Sequence, residues 1–164
     1  MSAAIDKAVL RTELLALVSA QLTTAQAAHA AAIEGATHAE AKPENDKDTR
    51  GLEQSYLARG QAQRVAELEA AVAELTALKL RTFTARDPVA ISAVVTVDED
   101  GTEHRFFVVP HGGGSVLAGG IQVVTPSSPL GRALLGKRID DEVEVRLPGR
   151  LHDKTRALVI AAIV

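Results

Sequence analysis

Ser128-Pro129-Leu130-Gly131-Arg132-Ala133-Leu134-Leu135-Gly136-Lys137, with Asp140-Asp141-Glu142-Val143-Glu144-Val145 close behind, is the stretch on which the fold turns. Proline suits the first turn of a helix, where its missing N–H costs nothing, and glycine suits the position just past the end. Between them Leu130, Leu134 and Leu135 share one face, so Pro129–Gly136 is expected to be a short packed helix. The acidic run after it turns the chain into an alternating strand, Glu142–Leu147. Outward on both sides the grammar is that of strands. Ala90–Val97 alternates in part, and Asp98-Glu99-Asp100-Gly101 has the acidic–glycine chemistry of a hairpin turn. His104–Val109 returns, a glycine-rich loop follows at 111–120, and Ile121–Thr125 and Ala157–Ile163 complete the set. The expectation is an α+β module, mainly antiparallel, with one short helix.

The first half has a different composition. Of 29 alanines, 21 fall in residues 1–80, whereas valines crowd the second half. Alanine favours helix and valine favours strand. Two helices are expected, at about 5–33 and 49–80, forming an antiparallel coiled-coil hairpin. Between them Gly35 and Pro43 punctuate a polar stretch, Ala39–Asp48, with no apolar period. Leu57, Gln61, Arg64, Leu68, Ala71, Leu75 and Leu78 alternate steps of four and three, a coiled-coil period. On the first helix Ile5, Val9, Thr12, Ala16 and Ser19 give the matching seam. Thirty helical residues make a rod of roughly 45 Å, longer than a small β domain can cover, so the hairpin is expected to project. The domain boundary falls near residue 80: 1–80 for the coiled coil, with its tip near 38–50, and 81–164 for the sheet domain.

Composition removes several classes of function. With 164 residues and 46% hydrophobic content the chain can bury a core. It has no cysteine, which excludes disulfides, thiol catalysis and Cys-ligated zinc. Aromatics are 2%, too few for a multi-base stacking platform. A net charge of −3, placed on the helical half, does not suit a dedicated DNA-backbone binder, and no basic recognition helix stands out. Asp6, Lys7, Arg11 and Glu13 interrupt any apolar leader, and no stretch approaches a membrane span; a cytoplasmic protein without membrane contact is expected.

Three motifs are decoys. Gly131 to Lys137 nearly fits a phosphate loop, but Arg138 takes the place of the hydroxyl residue and the middle is apolar, so a packed helix is the better reading. His111-Gly112-Gly113-Gly114 resembles an esterase oxyanion segment without the G-x-S-x-G nucleophile, and is expected to be a flexible loop. The histidines at 29, 38, 104, 111 and 152 are scattered, as solvated surface histidines are. The acids of the polar stretch are a fuller candidate. Glu40, Glu44, Asp46 and Asp48 lie within nine residues, interleaved with Lys42, Lys47 and Arg50. They read either as a solvated, turn-forming cluster or as carboxylates able to hold a hard cation such as Mg²⁺ in a partner's active site.

The chain resembles the Gre-type (GreA/GreB family) bacterial transcription elongation factors. The resemblance rests on Ser128–Lys137 followed by Asp140–Val145, with support from Ile121–Thr125 and the hairpin at Gly101. Glu44-Asn45 and, on the second helix, Arg64-Val65 with Glu67-Leu68 extend it to the N-terminal half. The family implies an FKBP-like C-terminal domain that docks at the rim of the RNA polymerase secondary channel. Ser128, Pro129, Leu130 and Arg132 would lie on the docking surface. It implies a coiled coil that enters the channel and brings tip acids to the catalytic centre. There Glu44, helped by Asp46, Asp48 or Glu40, would hold a second Mg²⁺ while the polymerase cleaves backtracked RNA, with only indirect contact to the RNA 3′ end. The factor would be a monomer with no active site and no cofactor of its own, sharing Mg²⁺ with the polymerase. The family's tip carries Asp-x-x-Glu-Asn, and Ala41 stands where that Asp belongs. A regulator that occupies the channel without stimulating cleavage is therefore the second expectation, and a prolyl isomerase or chaperone on the same C-terminal fold the third.

Overall fold

The computed structural model describes residues 4–40 and 49–164, with side chains for 4–37 and 51–164. Helix α1 runs Lys7–Glu40 and α2 runs Thr49–Ala77. Strands β1 (Val94–Glu99), β2 (Thr102–Val108), β3 (Val116–Leu117) and β4 (Ile121–Val124) follow, then helix α3 (Pro129–Leu134) and strands β5 (Glu142–Leu147) and β6 (Lys154–Ile163). Among the described residues the strands form one sheet in the order β3-β4-β2-β1-β6-β5. None of the described helices is long and apolar enough to cross a membrane.

The chain divides into two compact units: Leu15–Ala73, and Met1–Leu14 with Glu74–Val164. In the first unit α1 and α2 pack antiparallel. Gly35 lies against Gln54, and a groove of about 620 Å³ is lined by Leu17, Ala20 and Thr24 from one helix and Gln61, Arg64 and Leu68 from the other. Val18, Ala25, Ala32, Leu68 and Ala71 are buried. The α2 seam therefore follows expectation from Leu68 onward, while Arg64 is exposed and Leu57 is 49% exposed. The α1 seam does not. Val9 is 56% exposed and Thr12 and Ala16 are exposed; Leu10, Leu14 and Val18 are the buried residues. Leucine and alanine occupy nearly every face of α1, so several heptad frames fit the sequence equally, and packing selects among them. Gly35 sits inside α1, where about 1 kcal/mol of glycine cost is carried by a helix of 34 residues.

In the second unit one face of the sheet carries the main core. Val95, Val97, Phe106, Val108, Val143, Val145, Leu158 and Ile160 pack with Leu134 of α3. Register explains the choice: Val95 pairs with Phe106 and Val97 with His104, so alternate residues share this face. The opposite set, Val94, Phe107 and Val123, is buried too, which makes Val94–Val97 a run of four buried residues instead of an alternating one. The same unit buries Leu10, Leu14 and Leu75 from the helices. Arg11 donates to the Leu78 carbonyl at 2.9 Å, and the Glu13 carboxylate accepts from Ala118 N at 3.0 and 3.1 Å. Ser92, fully buried, holds φ at 73°, a left-handed value rare for serine. Its Oγ accepts from Arg81 N at 2.9 Å and its N donates to the Val108 carbonyl at 2.8 Å, tying the approach segment to the sheet.

The strand pairings are antiparallel except one: β2 and β4 run parallel, Phe106 to Val108 beside Gln122 to Val124. The glycine-rich loop makes that crossover. It is anchored, against the expectation of a flexible loop. Gly114 N donates to the Val123 carbonyl at 2.9 Å, and Val123 N donates to the Ser115 carbonyl at 2.8 Å. Gly112 is packed so that a Cβ there would meet Leu14 Cδ1 at 2.5 Å. Its short β3 carried no signal in the sequence. The β1–β2 hairpin turns through Asp100 (φ 52°) and Gly101 (φ 84°), both positive as a two-residue primed turn requires.

Across the sheet Glu99, Arg156 and His104 form a cluster. The Arg156 guanidinium donates to both Glu99 oxygens at 2.7 and 2.5 Å, and His104 Nε2 lies 3.5 Å from the same carboxylate. The hydrogen bonds from Arg156 hold the Glu99 carboxyl below the ordinary carboxylate range, against the smaller opposing effect of burial. A lowered native pKa means this pair stabilises the fold above the unfolded-state pKa of Glu and that its contribution is lost as pH falls through the native pKa. Glu99→Gln is therefore expected to flatten the acid limb of the stability–pH curve, read by thermal melting from pH 7 down to pH 3. In the main core, Leu134→Ala is expected to cost about 2–5 kcal/mol in urea unfolding.

Candidate functional site

Two candidate sites come from the sequence, the polar stretch between the helices and the Ser128–Arg132 segment. Glu44, Asp46 and Asp48 lie outside the described residues. Glu40 is the last residue of α1, and α2 begins at Thr49, so the candidate acids occupy the end of α1 and the connection between the two helices. Among the described residues, no group of three or more His, Asp or Glu is placed to hold a metal ion.

The second segment is built around a close backbone approach. Ser128 caps α3: its Oγ accepts from Gly131 N at 3.0 Å and donates to the Thr125 carbonyl at 2.8 Å. Pro129 begins the helix with φ pre-set. Gly131 is buried so tightly that a Cβ would fall 1.8 Å from the Thr125 oxygen. That approach lets Leu134 enter the core while Leu130 packs partly against it. The Arg132 guanidinium curls back to the Ser127 carbonyl at 2.7 and 3.1 Å and remains exposed. Of the expected docking residues, Ser128 and Leu130 thus have folding roles, whereas Pro129 and Arg132 present their side chains to solvent. At the helix end Gly136 N donates to the Val89 carbonyl and Val89 N to the Lys137 carbonyl, at 2.9 and 2.8 Å. The phosphate-loop likeness of 131–137 is accordingly a packed helix and its cap.

Two histidines take carboxylate partners that the sequence did not reveal. His111 Nε2 lies 2.9 Å from Glu74, and His104 lies by Glu99 as described. Their partners are 37 and 5 residues away, and only the helix–sheet packing brings the longer pair together. The aromatic side chains of the sheet unit, Phe83, Phe106 and Phe107, are all buried. Lys7 lies over Phe83 with its ammonium 4.8 Å from the ring centre, and burial together with the Arg81 charge lowers its pKa.

A helical pair leading into a mixed sheet, with a glycine-seated helix after its fourth strand, defines a two-part α+β protein. Residues 84–160 match the family model described as Transcription elongation factor, GreA/GreB, C-term. The match covers just under half of the chain, and that part is similar to the C-terminal domain of the GreA/GreB family. It is 41% identical over 63 residues to Transcription elongation factor GreA of Sphingopyxis alaskensis, a stretch that is 38% of each chain. It is 32% identical over 87 residues to the GreA of Beijerinckia indica, which is 52% of this chain and 54% of that one. The chain therefore spans about half or less of the curated relatives it matches. Among solved structures it is similar to the GreA factor homolog 1 (Gfh1) protein of Thermus thermophilus, at 19% identity and a TM-score of 0.40, covering 92% of this chain and 94% of that one.

The α3 seat makes a direct prediction. Gly131→Ala must displace a backbone carbonyl, so it is expected to cost about 3 kcal/mol, at the upper end of overpacking, and to lower the melting temperature by roughly 5 °C or more. Ser128→Ala, which removes only the cap, is expected to cost about 1 kcal/mol in the same assay.

Proposed function

We propose that the chain is a transcription elongation factor that acts on RNA polymerase and stimulates cleavage of backtracked RNA through the acids between its two helices. The match of residues 84–160 to the GreA/GreB C-terminal family carries this reading. Two relatives named as transcription elongation factors support it. So does the position of Glu44, Asp46 and Asp48 in the sequence, between the end of one helix of 34 residues and the start of another of 29.

The chemistry is phosphodiester hydrolysis with two divalent ions, in which the second ion lowers the pKa of an attacking water. This chain supplies carboxylate oxygens, the ligands Mg²⁺ prefers. Glu44 is the main ligand, with Asp46, Asp48 or Glu40 as the second. The polymerase supplies the rest of the active site, so the chain assists a hydrolysis it does not itself perform. It acts as a monomer in the cytoplasm, where the polymerase works, and docks through the exposed Pro129 and Arg132 of α3.

Ala41 favours a second reading, because the family's tip has an acid at that place. In it the chain occupies the same channel and slows or redirects the polymerase without promoting cleavage. For an isomerase, the burial of Phe83, Phe106 and Phe107 leaves the sheet unit without aromatic side chains to wall a proline pocket.

A halted, backtracked polymerase complex with end-labelled RNA separates these readings. With the wild-type chain and Mg²⁺, the transcript is expected to shorten, and Glu44→Ala is expected to slow shortening by at least tenfold while leaving binding to the polymerase unchanged. Equal effects of both proteins on elongation, with no shortening, would instead establish the non-cleaving regulator.

A further inference from the structure

Leu151 is the most exposed large apolar side chain among the described residues, at 90%, well above Tyr56 at 61%. It stands in the turn between β5 and β6, on Leu147-Pro148-Gly149-Arg150-Leu151-His152-Asp153-Lys154. The turn is tightly closed. A Cβ at Gly149 would fall 1.9 Å from the His152 carbonyl oxygen, so only glycine fits, and Pro148 fixes the preceding φ. Leu151 is thus held outward by a restrained backbone, which lowers the ordering cost of burying it against a partner. The segment that carries it is cationic. Between residues 146 and 154, Arg146, Arg150 and Lys154 are exposed and Asp153 is the one acid, a charge of +2 for that segment in a chain of net −3. An apolar knob on a cationic turn complements an apolar pocket bordered by carboxylates.

We propose that the β5–β6 turn is a contact point for RNA polymerase, with Leu151 entering a shallow apolar pocket on the enzyme and Arg150 and Lys154 facing carboxylates at its rim. This rests on the function proposed above, which supplies the partner; the turn supplies the chemistry of the contact. It is distinct from the α3 segment: Leu151 has no folding role, and neither its burial nor its hydrogen bonding explains an exposed leucine held in this way.

The test uses the full chain and purified core RNA polymerase, with affinity measured by biolayer interferometry at two salt concentrations. Leu151→Ser is expected to weaken binding about tenfold, with a melting temperature equal to wild type. Leu151→Met is expected to bind as wild type does. Arg150→Glu is expected to weaken binding and to reduce its salt dependence. Wild-type affinity in Leu151→Ser would overturn the inference while leaving the proposed function standing. Absence of binding by the wild-type chain would overturn the proposed function and the inference with it. Binding of a single-stranded RNA oligonucleotide by the chain alone, lost in Arg150→Glu and kept in Leu151→Ser, would also overturn it, since the turn would then be a nucleic-acid contact.

Discussion

The approach of Gly131 to the Thr125 carbonyl is the contact on which the sheet domain depends. Any side chain at 131 would collide with that oxygen at 1.8 Å. With hydrogen there, Ser128 can bridge the Thr125 carbonyl and the Gly131 amide, and α3 lies down on the sheet. Leu134 then reaches the cluster formed by Phe106, Val143, Val145 and Leu158, and the far end of α3 is fastened to Val89. One glycine therefore sets the position of the helix, the closure of the core and the exposure of Pro129 and Arg132. Folding constraint and candidate docking surface occupy the same short segment, Ser128–Leu134, so a substitution there needs a stability measurement beside any binding measurement.

The sheet places unusual demands on its central strand. Val94–Val97 is buried throughout because α3 and its neighbours cover one face and the opposite set, Val94 with Phe107, is enclosed as well. Parallel pairing of β4 with β2 requires a crossover, and the chain achieves it in the short glycine-rich segment. Gly112 and Gly114 adopt positive φ there, and the loop is stitched to β4 by backbone hydrogen bonds. The glycines that look like an oxyanion segment in the sequence thus solve a problem of topology.

The legible parts of the sequence were those with local physical causes. The proline start and glycine stop of α3, the Asp100-Gly101 turn and the alternation of Glu142–Leu147 each follow from a few neighbouring residues, and each is in the structure. What was illegible depended on distant partners. The α1 seam could not be chosen, because alanine and leucine on every face leave the heptad frame undetermined until Leu10, Leu14 and Val18 are buried. His111 beside Glu74 and Glu13 beneath Ala118 join residues far apart in the chain, with no local signature. Ser92 gave no sign of its positive φ, since only tertiary hydrogen bonds hold it. Ser128–Arg132 was legible as a helix start, which is the role the structure gives it. The tip acids were legible as composition alone, and composition does not say which carboxylates converge.

The proposed function requires that the chain bind RNA polymerase. The most direct measurement is size-exclusion chromatography of the full chain mixed with purified bacterial core polymerase at micromolar concentration, with the eluted fractions quantified for both proteins. The expected result is co-elution of the chain with the polymerase in one-to-one ratio, and its displacement by a factor that fills the secondary channel. Elution of the chain entirely in its own later peak would contradict it.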